Sequence, residues 1–306
     1  MSAVQFEAVT RKYLGVTALD GASFEVQRGE MFGLIGPDGA GKTTAIRVAC
    51  GLLRPDSGRV RVLGRDPVRE HRAITGVVGY LSQRFSLYGD LTIDENVAFF
   101  AEIHGLRRYN AARDRLLAMT QLTPFRGRRA DRLSGGMKQK LALACTLVHE
   151  PDVLLLDEPT TGVDPVSRRE FWKLLSEFLA SGLTIVMATP YLDEAERCGR
   201  VVLLHEGRVL ALARPDVLQH ALAGRLLEVA TGSTRPPIDL LMQVPGVDDV
   251  QAFGDRAHVR LSGVSQAEGI ARVIAALERA GIPVQSARPV AASLEDVFID
   301  LVTGQG

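Results

Sequence analysis

The chain has 306 residues, close to two domains at ~150 residues each. Its composition, 46% apolar and 24% charged, is that of an ordinary globular protein and excludes disorder as the main state. Thirty-six basic residues balance thirty-six acidic ones, which removes the bulk positive charge that would hold nucleic acid.

In chain order, residues 4–9 and 22–26 alternate apolar and polar and read as short strands. Arg28-Gly29-Glu30 is a turn before the apolar run Met31-Phe32-Gly33-Leu34-Ile35, and a glycine-rich loop then opens a helix over 42–49. Thr92-x-x-Glu95 has capping-box spacing, and Val97, Phe100 and Ile103 follow at helical spacing. Residues 92–130 therefore read as a helical insertion, rich in arginine toward its end. Strands and helices alternate beyond it, at 153–156, 168–179, 183–187, 192–197 and 201–204, the βαβ pattern of a parallel sheet.

Near Arg214-Pro215 the texture changes. Residues 226–230 and 250–253 read as strands, and Gly254-Asp255 is a two-residue turn into a strand at 257–261. Ser265-x-x-Glu268 caps a helix carrying Ile270, Val273, Ile274 and Leu277 on one face, and Gly281 ends it before a strand at 284–287. This is a small α+β module of ferredoxin-like pattern. Cys50, Cys145 and Cys198 are odd in number and form no C-x-x-C, so a disulfide framework or zinc module is not expected, and a reducing compartment is. No apolar run approaches the ~18 residues of a membrane span, and the N-terminus does not resemble a signal peptide.

Two motifs carry chemistry by themselves. Gly36-Pro37-Asp38-Gly39-Ala40-Gly41-Lys42-Thr43-Thr44 fits G-x-x-x-x-G-K-[ST], directly after a strand and opening a helix. Its backbone amides and the helix start would cradle phosphates, Lys42 would reach the β- and γ-phosphates, and the Thr43 hydroxyl would ligate Mg²⁺. Asp38 is expected to point outward, away from the phosphates. Asp157-Glu158 closes the apolar strand at 153–156, where open parallel sheets bind ligands. Asp157 would hold Mg²⁺ through water, and Glu158 would act as general base on the attacking water.

Leu133-Ser134-Gly135-Gly136-Met137-Lys138-Gln139-Lys140, lying between these two motifs, resembles the signature of ATP-binding-cassette (ABC) ATPases, with Met137 where the family has glutamine. Tyr13 resembles the aromatic that stacks on adenine. Gln83, in Gly79-Tyr80-Leu81-Ser82-Gln83, resembles the glutamine that contacts Mg²⁺ and senses the membrane partner. Asp164, in Thr161-Gly162-Val163-Asp164, resembles the loop aspartate at the dimer seam. The resemblance implies a P-loop NTPase (RecA-like) α/β core with an antiparallel β subdomain and a helical subdomain at about 88–150. Together these form a nucleotide-binding domain over 1–218, followed by a regulatory or dimerising α+β domain over 219–306.

Finer likeness, in Phe85-Ser86-Leu87-Tyr88-Gly89-Asp90-Leu91-Thr92, Asp193-Glu194-Ala195-Glu196-Arg197-Cys198 and the tail Ser293-Leu294-Glu295-Asp296-Val297-Phe298-Ile299, is to ATPases of ABC-2-type exporters, including multidrug and daunorubicin-like systems. It implies an ATPase using ATP and Mg²⁺, peripheral on the cytoplasmic face of the membrane. Its partners would be integral-membrane permease subunits and a second ABC ATPase subunit, with Ser134, Gly135, Gly136 and Met137 acting in trans, and no nucleic acid. Two rival readings are a catalytically degenerate regulatory subunit and a soluble, non-transport ABC ATPase.

One position departs from the family. The switch histidine should follow the strand at 183–187, and Ala188-Thr189-Pro190-Tyr191 has Pro190 in its place. Proline offers neither a side-chain donor nor a backbone N–H, so slow hydrolysis is expected. The arginines at 107, 108, 126, 128, 129 and 132 are expected to form a solvated face, or else to meet anionic lipid or acidic partner loops.

Overall fold

The computed structural model describes residues 2–83 and 87–303; Phe85 and Ser86 of the exporter-like phrase lie outside them. The chain separates into two compact units, Met1–Arg214 and Pro215–Gly306.

The first unit begins with two long strands, β1 (Ser2–Tyr13) and β2 (Val16–Gln27), paired antiparallel. Each has 12 residues, where the sequence suggested short strands. Register shifts between Phe6 and Val9 and between Val9 and Arg11 break the simple alternation and let the hairpin bend. Next come β3 (Met31–Ile35), α1 (Lys42–Ala49), β4 (Ser57–Val62), α2 (His71–Thr75) and β5 (Val78–Leu81). The helical insertion consists of α3 (Ile93–Ile103), α4 (Asn110–Met119) and α5 (Gly135–Leu147). After it follow β6 (Val153–Asp157), α6 (Pro165–Ala180), β7 (Thr184–Thr189), α7 (Leu192–Ala195), β8 (Arg200–His205) and β9 (Arg208–Ala213).

Strands β2-β1-β4 form a small antiparallel sheet, and β5-β6-β7-β3-β8-β9 form the main one, parallel except for β9. β3, β6 and β7 are buried at every residue, which is why their sequences run apolar without alternating. Phe6, Phe24 and Phe32 stack through the joint core of the two sheets at centroid distances of 4.4 and 5.9 Å. Each such buried ring contributes about 1.5–3 kcal/mol. In the insertion, Thr92 caps α3 with the reciprocal Glu95 box. The arginines nearby are paired locally: Arg126 with Asp94 and Asp114, Arg129 with Asp131, and Arg128 over the Phe125 ring. All three cysteines are free and buried, and burial holds their thiols high, Cys198 at about 12, so they stay protonated.

The second unit contains α8 (Pro215–His220), β10 (Leu226–Ala230), α9 (Ile238–Met242), β11 (Val247–Phe253), β12 (Arg256–Leu261), α10 (Gln266–Arg279), β13 (Ser286–Pro289) and α11 (Leu294–Thr303). Its sheet order, β11-β12-β10-β13, is antiparallel throughout, the split-βαβ arrangement expected from the sequence. β13 lies two residues later than the pattern at 284–287 suggested. Ser265 caps α10, whose Val273, Ala276 and Leu277 enter a core with Leu227, Val229 and Val259. Among the described residues no helix is long and apolar enough to cross a membrane.

Candidate nucleotide site

The parallel register of the main sheet brings three loops to one edge. β7 lies between β3 and β6, so the residues after β3, β7 and β6 emerge side by side at the carboxyl ends. The loop after β3 is the glycine-rich one. Gly41 has φ +102°, and a Cβ there would sit 2.2 Å from the Ala18 carbonyl oxygen; a Cβ at Gly36 would sit 2.2 Å from the Leu204 oxygen. Only glycine lets the chain turn this closely. Pro37, Asp38 and Gly39 are exposed and Ala40 is buried, while Thr44 lies half-buried in the first turn of α1.

The Lys42 side chain is 3% exposed and donates to the Gly36 and Pro37 carbonyls at 2.8 and 2.9 Å, curling over the loop. Its ammonium lies 3.7 Å from Glu158 Oε1. Burial pulls the Lys42 pKa below its ordinary value, and the carboxylates of Glu158, Asp38 and Asp157 only partly offset this.

Across the edge, Thr43 Oγ1 donates to Asp157 Oδ1 at 2.8 Å. Asp157 is 1% exposed, and burial raises its pKa despite the Thr43 hydroxyl and the Arg47 and Lys42 charges. Gln83 Nε2 donates to Glu158 Oε2 at 3.0 Å, and Thr161 Oγ1 approaches the same oxygen at 3.4 Å. Glu158 stands at φ +49°, the left-handed region, which costs a non-glycine residue about 1–3 kcal/mol. Its N–H donates to the Ala188 carbonyl. The edge therefore gathers Lys42, Thr43, Gln83, Asp157 and Glu158 from three separate segments.

The other expected residues lie apart from this group. Ser134 caps α5, its Oγ accepting from the Met137 N–H at 3.3 Å; Ser134 and Gly135 are exposed and Gly136 is packed against Ser167. Among the described residues no hydrogen bond links them to the phosphate loop. Asp164 caps α6 through the Val166 and Ser167 amides. Tyr13, 37% exposed at the end of β1, has the Arg11 guanidinium 4.9 Å from its ring centre. Pro190 follows β7 directly, and its ring carries no polar atom toward the edge.

Two further residues, each inside a phrase quoted above, make contacts that the sequence patterns did not show. The Gln139 amide donates to the Pro159 carbonyl, tying α5 to the loop after β6. Glu194, fully buried, accepts hydrogen bonds from Thr160, Arg168, Trp172 and Thr189. A buried carboxylate with partners 5 to 34 residues away leaves no local spacing to find it by.

The oxygen donors of Thr43 and Asp157, hard and close together, suit Mg²⁺, which keeps several waters and takes few protein ligands. Among the described residues no group of three His, Cys, Asp or Glu forms a separate metal cage.

The family model described as ABC transporter matches residues 19–161. The probable multidrug ABC transporter ATP-binding protein YbhF of Escherichia coli (strain K12) is 42% identical over 287 residues, covering 92% of this chain but only 48% of that protein. The chain thus spans about half the length of YbhF. The daunorubicin resistance ATP-binding protein DrrA3 of Streptomyces coeruleorubidus is 35% identical over 306 residues, covering 98% of this chain and 96% of DrrA3. The dimeric ATP-binding cassette MJ0796, solved in a post-hydrolysis state bound to ADP and Pi, is 26% identical with a TM-score of 0.62, covering 69% of this chain and 98% of that one. With its phosphate loop and acidic edge in place, and its likeness to DrrA3 running through both units, the chain belongs to the family of ABC transporter ATP-binding proteins.

Proposed function

We propose that the chain is the ATP-hydrolysing subunit of a membrane exporter for drug-like or lipid-like small molecules, peripheral on the cytoplasmic face and paired with permease subunits and a second cassette. The observation that carries the reading is the convergence of Lys42, Thr43, Gln83, Asp157 and Glu158 on one sheet edge. The names of YbhF and DrrA3 supply the exporter class.

The loop amides and Lys42 hold the β- and γ-phosphates, with Tyr13 placed for the adenine. Thr43, Gln83 and Asp157 are the residues that would hold Mg²⁺, which neutralises phosphate charge when bound. Glu158 takes the proton of the attacking water as the water oxygen bonds to the γ-phosphorus and the bridging oxygen departs with ADP. Ser134, Gly135, Gly136 and Met137, exposed or at a helix start, would close on the γ-phosphate bound by the other subunit, with Asp164 at the seam. Closure and reopening of the pair would move the helical subdomain against the permease.

Pro190 specifies the finer reading. A site built on this phosphate loop binds Mg-ATP but turns over slowly, because the position after β7 offers no hydrogen bond to the γ-phosphate. An intact signature still lets the chain complete a competent site on a different cassette, so a heterodimer with one slow and one fast site is the favoured assembly.

The test is steady-state ATP hydrolysis and Mg-ATP binding by the purified chain and by Pro190→His. Binding with slow turnover is expected, and the histidine should raise turnover by about 10²–10³-fold. Fast turnover that the histidine leaves unchanged overturns the slow-site reading, and absence of Mg-ATP binding overturns the ATPase reading altogether.

A further inference from the structure

Glu194 sits in the four-residue helix α7 with no exposed surface at all. Oε1 accepts from Thr160 Oγ1 at 2.5 Å, Arg168 Nε at 2.7 Å and Trp172 Nε1 at 3.3 Å, and Oε2 accepts from Thr189 Oγ1 at 2.6 Å. Arg168 also grips the neighbouring Asp193 through both carboxylate oxygens at 3.0 Å. A buried carboxylate is costly unless it is paired and its lone pairs are filled. Here donors from the loop after β6, the end of β7 and two positions of α6 fill them. An apolar side chain would pack this spot more cheaply but would tie nothing together.

Two of the four donors stand on the nucleotide edge. Thr160 lies two residues past Glu158 and four before Asp164. Thr189 immediately precedes Pro190, and its Oγ1 also accepts the Tyr191 N–H at 3.1 Å, closing the turn around the proline. One carboxylate thus bonds the loop that carries the general base to the loop that carries Pro190. The left-handed backbone at Glu158 persists only where its surroundings hold it. The Thr160 bond, the Glu158 N–H to Ala188 bond and the Gln139 amide on Pro159 are what hold it. Pro190 cannot hold its loop on a phosphate through a side chain, so the tie has to come from within the protein.

We propose that Glu194 is a positioning residue: acting through Thr160 and Thr189, it locks the two loops together and so sets where Glu158 and Asp164 stand. The inference rests on the ATPase reading for its catalytic consequence, but not for the mechanical coupling itself.

The full chain is compared with Glu194→Gln, Thr160→Val, Thr189→Val and Thr189→Ser by amide hydrogen exchange, and by kcat and KM for ATP. Glutamine keeps the shape but loses one acceptor; valine keeps the volume of threonine and removes the hydroxyl; serine restores the hydroxyl. Glu194→Gln and both valine variants should speed exchange in segments 158–164 and 189–191 together by on the order of tenfold, each valine loosening the loop it is not on. kcat should fall on the order of tenfold with KM within about twofold, and Thr189→Ser should restore both.

The proposal is overturned if each valine loosens only its own loop, if serine is no better than valine, or if kcat is unchanged while both loops loosen. Should the unmodified chain bind no Mg-ATP, the ATPase reading fails; in that case, or if it binds Mg-ATP without turnover, cross-loop exchange alone decides whether Glu194 couples the loops. If Glu194→Gln does not fold, the Thr160 and Thr189 variants carry the same comparison.

Discussion

Buried carboxylates are handled in opposite ways in the sheet of the second unit and at the nucleotide edge of the first. In the second unit Glu228 is gripped by Arg256 at 2.8 Å and by Arg288 at 2.8 and 3.0 Å, and Asp296 faces His258 Nδ1 at 2.7 Å with Ser293 on its other oxygen. The Arg288 and Arg256 guanidiniums hold the Glu228 carboxyl below its usual range. At Asp296, burial works upward, but the His258 ring and Ser293 outweigh it and the pKa falls. At the nucleotide edge of the first unit Asp157 is almost fully buried, bonded by the Thr43 and Tyr80 hydroxyls and, among the described residues, in no ion pair, and burial raises its pKa. A carboxylate matched by arginines of its own sheet, as Glu228 is, needs nothing further and holds the fold. A buried carboxylate in no ion pair beside a phosphate loop keeps the desolvation cost that a cation would relieve, which is the role proposed for Asp157.

Three substitutions sharpen or break that contrast. Glu158→Gln should lower ATP turnover by on the order of 10²–10⁴-fold while Mg-ATP still binds, as read by steady-state hydrolysis and nucleotide titration. Equal turnover in the variant would mean that the acidic edge does no proton transfer.

Glu228→Gln should destabilise the second unit by at most about 1 kcal/mol, because two exposed arginines lose a charged acceptor that water largely screens. Exchange at residues 226–230 and 256–260 should accelerate, and Mg-ATP affinity should not move. A drop in affinity would show that the second unit's charge network serves the nucleotide site after all.

The smallest effect concerns His149, which stacks on His104 at 3.8 Å and which burial pushes down to about 4; burial lowers His104 as well. An unfolded histidine takes up its proton near pH ~6.5, whereas the folded His149 waits until about 4. The unfolded state binds more protons between those values, so this contribution is complete above pH ~6.5 and is lost as pH falls toward 4. The melting temperature of His149→Phe should fall less steeply over that window than that of the unmodified chain. Parallel curves would refute the assignment.

The nucleotide edge was legible because its chemistry is local. A phosphate loop needs glycines at set spacing before a lysine and threonine, and Gly36, Gly41, Lys42 and Thr43 stand where that spacing puts them. Asp157-Glu158 could be read for the same reason, since a wholly apolar strand ending in acid announces a carboxyl edge. The capping box at Thr92, the Ser265 cap and the turn at Gly254-Asp255 are also short-range signals, and the helices and hairpin they mark are present.

What escaped the sequence depends on distance along the chain. The 12-residue lengths of β1 and β2 were hidden by register shifts that interrupt alternation, and the short helices α2 and α9 are too brief to show a period. Tertiary structure alone paired Arg126 with Asp94 and Asp114, turning an arginine-rich stretch into a set of local ion pairs. It alone made Glu194 a hub, because its four donors lie in segments that meet only when β6, β7 and α6 pack. The residues of the phosphate loop and the acidic strand end follow from backbone rules that act over a few positions; the network that holds them in place follows from burial, which only the folded chain defines.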